Sequence, residues 1–382
     1  MPIDFSPVLD RRTLIVSPLA AVVGAGDAAA ASVAGTVYTG DVIQGKKVVS
    51  TLDIADLESG RKHLLYFQGV QMPTGQHWYV SVIVAKGVKP GKRITLTSGV
   101  HGDEMSSIRT VQMVMDQLDP GNMSGSVMAV LDIARPALEG MQRRWLNQGR
   151  GIDLVDMNRE WPGNENGTNA ATRQAGLLFN RLLRPNSDVA IDFHTGTTGL
   201  ECSDFIIGNR QLPEVGTIID LYPIRQVWDT PADPGILHNA FTDVGIPSIC
   251  PEVGAARILD ATLIAPFVEG TMNVLKHYGV VAGSVGRTSV DANVFIGDNA
   301  FPVIASHGGF IEHLVRLNER VSAGQTVVIQ RNSFGEVVAE YASAVHGEVG
   351  AIRSDASSEP GNVLMFILFK STPAGSDGNY PE

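Results

Sequence analysis

The chain predicts an α/β fold followed by an all-β segment, on three observations. From about residue 93 to residue 278, short β-branched runs alternate with stretches of helical period, as in a sheet covered by helices. Several of those runs end in residues able to carry chemistry, where α/β sheets present their ligands. After Gly279 helical period almost disappears, and β-type runs punctuated by Gly-Gly, Asn-Glu, Ala-Gly and Asn-Ser take over, as in a small barrel or sandwich.

With 382 residues, 44% hydrophobic and 18% charged, the chain has the length and composition for one large domain and a smaller one. The expected division is a leader over 1–35, a principal domain over 36–280, a β domain over 281–372 and a tail over 373–382. Against 40 acidic residues stand 29 Lys and Arg, a formal net charge of −11 with no basic block. That balance argues against a nucleic-acid partner. Cys202 and Cys250 form no Cys-x-x-Cys pattern and read as small buried thiols.

The leader contains Arg11-Arg12, an uncharged stretch from Thr13 to Gly26 and small residues from Ala28 to Ala34. This has the order of a twin-arginine export signal, although Asp4 and Asp10 cancel its charge. Compartment therefore lies between cytoplasm and export. The uncharged stretch is too short to span a bilayer, so no membrane association is expected of the mature form.

The elements follow in order. Residues 36–88 hold alternating runs such as His63–Gly69 and Trp78–Val84, broken at Pro73-Thr74-Gly75, and predict hairpins. Arg93–Ser98 reads as a buried strand, and Ser106–Leu118 as a helix with Ile108, Val111, Met115 and Leu118 on one stripe. Ser126–Ile133 is a second core strand. An irregular stretch from Pro136 to Gly167 precedes a helix from about Ala170 to Leu183 and a strand over Asp188–His194. A strand at Asp204–Ile207, a helix near Ile236–Val244, a strand at Ser248–Glu252 and a helix from about Leu259 to Tyr278 complete the principal domain. Between His277 and Lys370 there is no lysine, which excludes a swinging-arm carrier in the β segment.

Four segments carry the chemistry: Gly99-Val-His-Gly-Asp-Glu104, Asp156-Met-Asn-Arg159, Asp192-Phe-His-Thr195 and Pro251-Glu-Val-Gly254. His101 and Glu104, three residues apart across a turn, define one edge of a metal polyhedron. His194 at another strand end is the best third ligand. Two histidines and a carboxylate leave a position open for water, as catalytic zinc requires, and suit amide hydrolysis. Glu252 is placed to move protons. Arg159 beside Asn158 suits a grip on a substrate carboxylate, and Asp156 and Asp192 suit a role behind the metal ligands. His238 reads as a structural or rim residue, and Asp233-Pro234 as a loop over the pocket.

These segments resemble the succinylglutamate desuccinylase/aspartoacylase family, a branch of the zinc carboxypeptidase fold. The resemblance runs over about residues 80–370. It implies a zinc carboxypeptidase-like mixed sheet flanked by helices, with a small C-terminal all-β domain. It also implies one Zn2+ per chain on His101, Glu104 and His194, Glu252 as general base and acid, and Asn158 and Arg159 on substrate. Family members commonly carry a further arginine shortly before the Asp-x-Asn-Arg segment. Arg143, Arg144 and Arg150 compete for that place, and Arg144 is the expectation.

The activity expected is hydrolysis of the amide of an N-acyl amino acid or related small amine, and a homo-oligomer is compatible with the sequence. Cleavage of short peptides by a metallocarboxypeptidase is the alternative. A non-catalytic binding protein with a degenerate metal pocket is a third reading, disfavoured because every required side chain is present.

Overall fold

The computed structural model describes residues 35–147, 153–231 and 233–371. The expected leader lies outside them except for Gly35, as do Arg150 and the tail 373–382.

Two antiparallel pairs open the fold, β1 (Val37–Ile43) with β2 (Lys46–Thr51) and β3 (Arg61–Gln71) with β4 (His77–Lys86). Strand β5 (Lys89–Thr97) is joined to its parallel neighbour β6 (Ser124–Val130) through helix α1 (Met105–Asp116). Helix α2 (Arg135–Glu139), the small hairpin β7 (Trp145–Asn147) and β8 (Asp153–Val155), and helix α3 (Ala170–Leu178) fill the irregular region. Then come β9 (Val189–Asp192), β10 (Leu200–Gly208), α4 (Pro213–Asp220), β11 (Gln226–Asp229), α5 (Leu237–Asp243), β12 (Ser248–Ala255) and α6 (Ala261–His277). The remaining elements are strands: β13 (Phe295–Gly297), β14 (Asn299–Ile304), β15 (Gly309–His313), β16 (Arg320–Val321), β17 (Thr326–Arg331), β18 (Val337–Ala342), β19 (Gly347–Arg353), β20 (Ser357–Ser358) and β21 (Val363–Phe369).

One large mixed sheet runs β1-β2-β3-β4-β6-β5-β9-β12-β10-β19-β21-β14. At its centre β5, β9 and β12 lie parallel and adjacent, with Thr97 opposite Asp192 and Ile191 opposite Ile249. Their carboxyl ends therefore open at one place. Strand alternation splits the core between the two faces. Met128 and Val130 pack with Phe67, Phe179 and Phe241 on one side, while Val127 and Ala129 pack with Leu96, Phe193, Tyr222 and Phe267 on the other.

The α/β class expected from sequence is the one found, with a strand-rich region after it. That region is not set apart from the large sheet. Strand β19 pairs antiparallel with β10, so β19, β21 and β14 extend the large sheet. They share a core of Val303, Val327, Val349, Leu364 and Ile367 with a second sheet of order β18-β17-β15-β20. Helix α4 and strand β11, of 8 and 4 residues, are absent from the sequence expectation. Among the described residues no helix is long and apolar enough to cross a membrane.

Candidate metal centre

The three central strands deliver the site. His101 and Glu104 sit in the turn between β5 and α1, Glu104 directly preceding the helix. The turn needs Gly102, because a Cβ there would lie 2.0 Å from the carbonyl carbon of Ala137 in α2. His194 follows β9 by two residues. Its amide donates to the Pro251 carbonyl at 2.8 Å and its carbonyl accepts from Val253 at 2.9 Å, so it is held across from Glu252 of β12.

His101, Glu104 and His194 are buried, with ligand atoms all within 4.8 Å of one another. His101 Nδ1 lies 2.7 Å from Glu104 Oε1, and His194 Nδ1 lies 2.9 Å from Glu104 Oε2. The opposite ring nitrogens are held from behind: His101 Nε2 is 3.1 Å from Asp156 Oδ1, and His194 Nε2 is 3.0 Å from Asp192 Oδ2. A carboxylate on Nε2 fixes the proton there and turns the Nδ1 lone pair inward. Two such lone pairs, 3.1 Å apart and beside a carboxylate, repel unless a cation lies among them. The donor set of two imidazoles and one carboxylate is that of catalytic zinc, and the residues fit that ion.

Electrostatics agree with the geometry. Burial opposes ionisation of Glu104, but the charges and hydrogen bonds of His101 and His194 outweigh it and hold the carboxyl far below its ordinary range. Burial likewise opposes protonation of His194, and Asp192 and Glu104 outweigh it and raise its pKa well above the ordinary value, a preference for positive charge that a cation beside the neutral ring would satisfy. Asp156 is held low against its burial by His101, Arg143 and Arg159.

Glu252 is poised differently. Burial pushes its carboxyl up to about 8, with Glu104 adding to the effect and His194 and Arg143 opposing it. Its Oε2 is buried without a hydrogen-bond partner, and Cys250 Sγ approaches Oε1 at 3.9 Å. Both cysteines are free and buried. Burial raises both thiols well above their ordinary range, which keeps them protonated and poor as nucleophiles.

A cavity of about 270 Å³ joins these groups with Arg143, Asn158, Arg159, Thr195, Trp228, Asp233 and His238. Asn158 is buried. Its Oδ1 accepts from the Leu237 amide at 2.9 Å, tying α5 to the site, and its Nδ2 lies 3.4 Å from His194 Nε2. Arg159 is exposed at the cavity and donates to the Asn158 carbonyl at 2.8 Å. The loop bearing Asp233 crosses Arg159 so closely that a Cβ on Gly235, at φ +88°, would lie 2.5 Å from the Arg159 carbonyl oxygen. Within Thr195–Gly199, Thr198 donates to Asp103 through both its amide and hydroxyl.

The expected arginine needs correction. Arg144 is exposed and does not line the cavity. Arg143 does, donating to Glu104 Oε1 and Asp156 Oδ2 at 3.2 Å each. Trp145 beyond them is buried, and the bend over residues 142–144 turns Arg143 inward and leaves Arg144 exposed, an orientation that the sequence pattern does not fix. His238 is also more central than a rim residue. It is buried in the cavity wall, and neither ring nitrogen has a partner.

Residues 90–278 match the succinylglutamate desuccinylase/aspartoacylase catalytic domain. The chain is 26% identical over 305 residues to the N-alpha-acetyl-L-2,4-diaminobutyric acid deacetylase of Halomonas elongata, covering 76% of this chain and 86% of that protein. Its fold resembles the succinylglutamate desuccinylase/aspartoacylase structure from Rhodobacter sphaeroides, with TM-score 0.72 at 18% identity over 83% of this chain and 98% of that one. It also resembles the product-bound ectoine utilization protein EutE (DoeB) from Ruegeria pomeroyi, with TM-score 0.71 at 18% identity over 82% and 96% of the two chains. The matched segment contains His101, Glu104, His194, Arg143, Asn158, Arg159 and Glu252, and it is this segment that carries the succinylglutamate desuccinylase/aspartoacylase catalytic domain.

Proposed function

We propose that this protein is a zinc-dependent amidohydrolase that removes the acyl group from an N-acyl amino acid or related small amine. The observation that carries the reading is the convergence of His101 Nδ1, His194 Nδ1 and Glu104 in one cavity with the orphaned Oε2 of Glu252.

His101, Glu104 and His194 hold the ion, and Asp156 and Asp192 orient the two rings. Zinc bound there supplies Lewis acidity to the scissile carbonyl and lowers the pKa of the attacking water. Glu252 takes a proton from that water. Because burial stabilises its protonated form, it keeps the proton until the leaving nitrogen accepts it. Arg143 and Arg159 hold the substrate carboxylate, and Asn158 braces the wall that carries His238. Cavities of about 270 and 300 Å³ favour a small substrate over a peptide. The relative from Halomonas elongata, named for an N-acetylated diamino acid, supports the same substrate class.

The test is Glu252→Gln. Hydrolysis of N-acyl amino acids should fall by about 10²- to 10⁴-fold while zinc content stays at the wild-type level. Retention of most activity would sink the reading.

A further inference from the structure

A second chamber of about 300 Å³ opens off the metal-site cavity, and the two share Arg143, Arg159, Thr195, Ile207, Trp228 and Glu252. Any substrate whose amide lies beside Glu252 faces this chamber with one of its arms. Away from the shared residues the Gly196-Thr197 segment forms one side, and most of the remaining wall is apolar, including Leu200, Cys202 and Phe205 of β10, Ala351 of β19 and Phe366 of β21. Among the described residues, its only charged lining groups are the shared Arg143, Arg159 and Glu252. Cys202, Phe205 and Ala351 are buried together, with Leu200, Ile207, Trp228 and Phe366 packed against them and still partly open. Apolar side chains left partly open in an enclosed space beside a reacting centre are the usual lining of a ligand pocket.

We propose that this chamber takes an uncharged apolar arm of the substrate, bonded next to the scissile amide. The proposal rests on the amidohydrolase reading. The preferred substrates then carry an aliphatic or aromatic group at that position instead of a second carboxylate, and the C-terminal strands set that preference by forming the far wall. A carboxylate pushed beyond the shared arginines would lose its water without gaining a partner. Each methylene placed there removes apolar surface from water and gains about fourfold in kcat/KM. The arm is either the acyl chain or the amino-acid side chain, and the substrate series separates the two.

The zinc-loaded full chain should be assayed on alanine carrying acetyl, butyryl, hexanoyl or succinyl groups, and on acetylated alanine, norleucine, phenylalanine or aspartate. In one series kcat/KM is expected to climb about fourfold per methylene, with the charged member at least about tenfold below its uncharged counterpart. That series identifies the arm. Ala351→Leu, which fills the chamber, should abolish the climb and bring the longest uncharged member down to the rate of N-acetylalanine. Phe366→Ala should shift the optimum to a longer or bulkier arm, and it serves independently should Ala351→Leu not fold. Flat rates in both series, or preference for succinyl or aspartyl, overturn the proposal while leaving the amidohydrolase reading intact. No turnover of any member by zinc-loaded protein overturns both.

Discussion

His101 and His194 come from turns 93 residues apart in the chain, yet their Nδ1 atoms stand 3.1 Å apart, each facing a different oxygen of Glu104. Asp156 and Asp192 sit behind the rings on Nε2. Purified protein should therefore contain close to one zinc per chain, and His101→Ala or His194→Ala almost none by elemental analysis. Asp192→Asn should keep the ion but bind it about 10- to 100-fold more weakly, measured by competition with a chelator. Unchanged affinity would remove Asp192 from that role.

Arg143 and Arg144 are adjacent and face different environments, one lining the cavity and the other solvent. Arg143→Ala should lower kcat/KM by about 10- to 100-fold through loss of a charged hydrogen-bonding partner. Arg144→Ala should stay within about twofold, as surface substitutions usually do. Steady-state kinetics on both variants decides, and equal effects would contradict the assignment.

His238 gives the fold an acid-sensitive point. Burial, helped by His194 and opposed by Asp192, lowers its imidazole to about 4 from an ordinary value of 6.5. Above pH 6.5 folded and unfolded chains both hold it neutral, and this group adds no pH dependence. As pH falls from 6.5 to 4 the unfolded chain takes up a proton that the folded chain refuses, so stability is lost across that window. Between pH 7 and pH 5 the chelated wild type should lose on the order of 2 kcal/mol more than chelated His238→Gln. Denaturant titrations at the two pH values measure this, and equal losses would count against it.

Gly235 tests the loop over the site. Its φ of +88° and its approach to the Arg159 carbonyl leave no room for a Cβ. Gly235→Ala should cost about 1 kcal/mol or more of stability and, by displacing Arg159, raise KM more than it lowers kcat. Thermal melts and a KM-against-kcat comparison provide the check; a silent substitution would mean the loop is free to move.

The sequence by itself determined the α/β class with its β-rich continuation, and the residues His101, Glu104, His194, Glu252, Asn158 and Arg159 that meet in one cavity. Those were legible because period-two and helical patterns mark strands and helices, and because strand-end residues beside Gly or Pro have few structural uses. Only the tertiary structure decided three other matters. Arg143, and not Arg144, lines the cavity, because the bend before β7 sends these two neighbours into different surroundings. His238 becomes part of the cavity wall because its neighbour Leu237 donates to Asn158, 79 residues away in the chain, a contact no local pattern encodes. The strands after Gly279 read as a separate small unit from their composition, yet β19 adds to β10. Backbone pairing between strands so distant in the chain leaves no trace in side-chain periodicity, and that pairing builds the second chamber against the catalytic sheet.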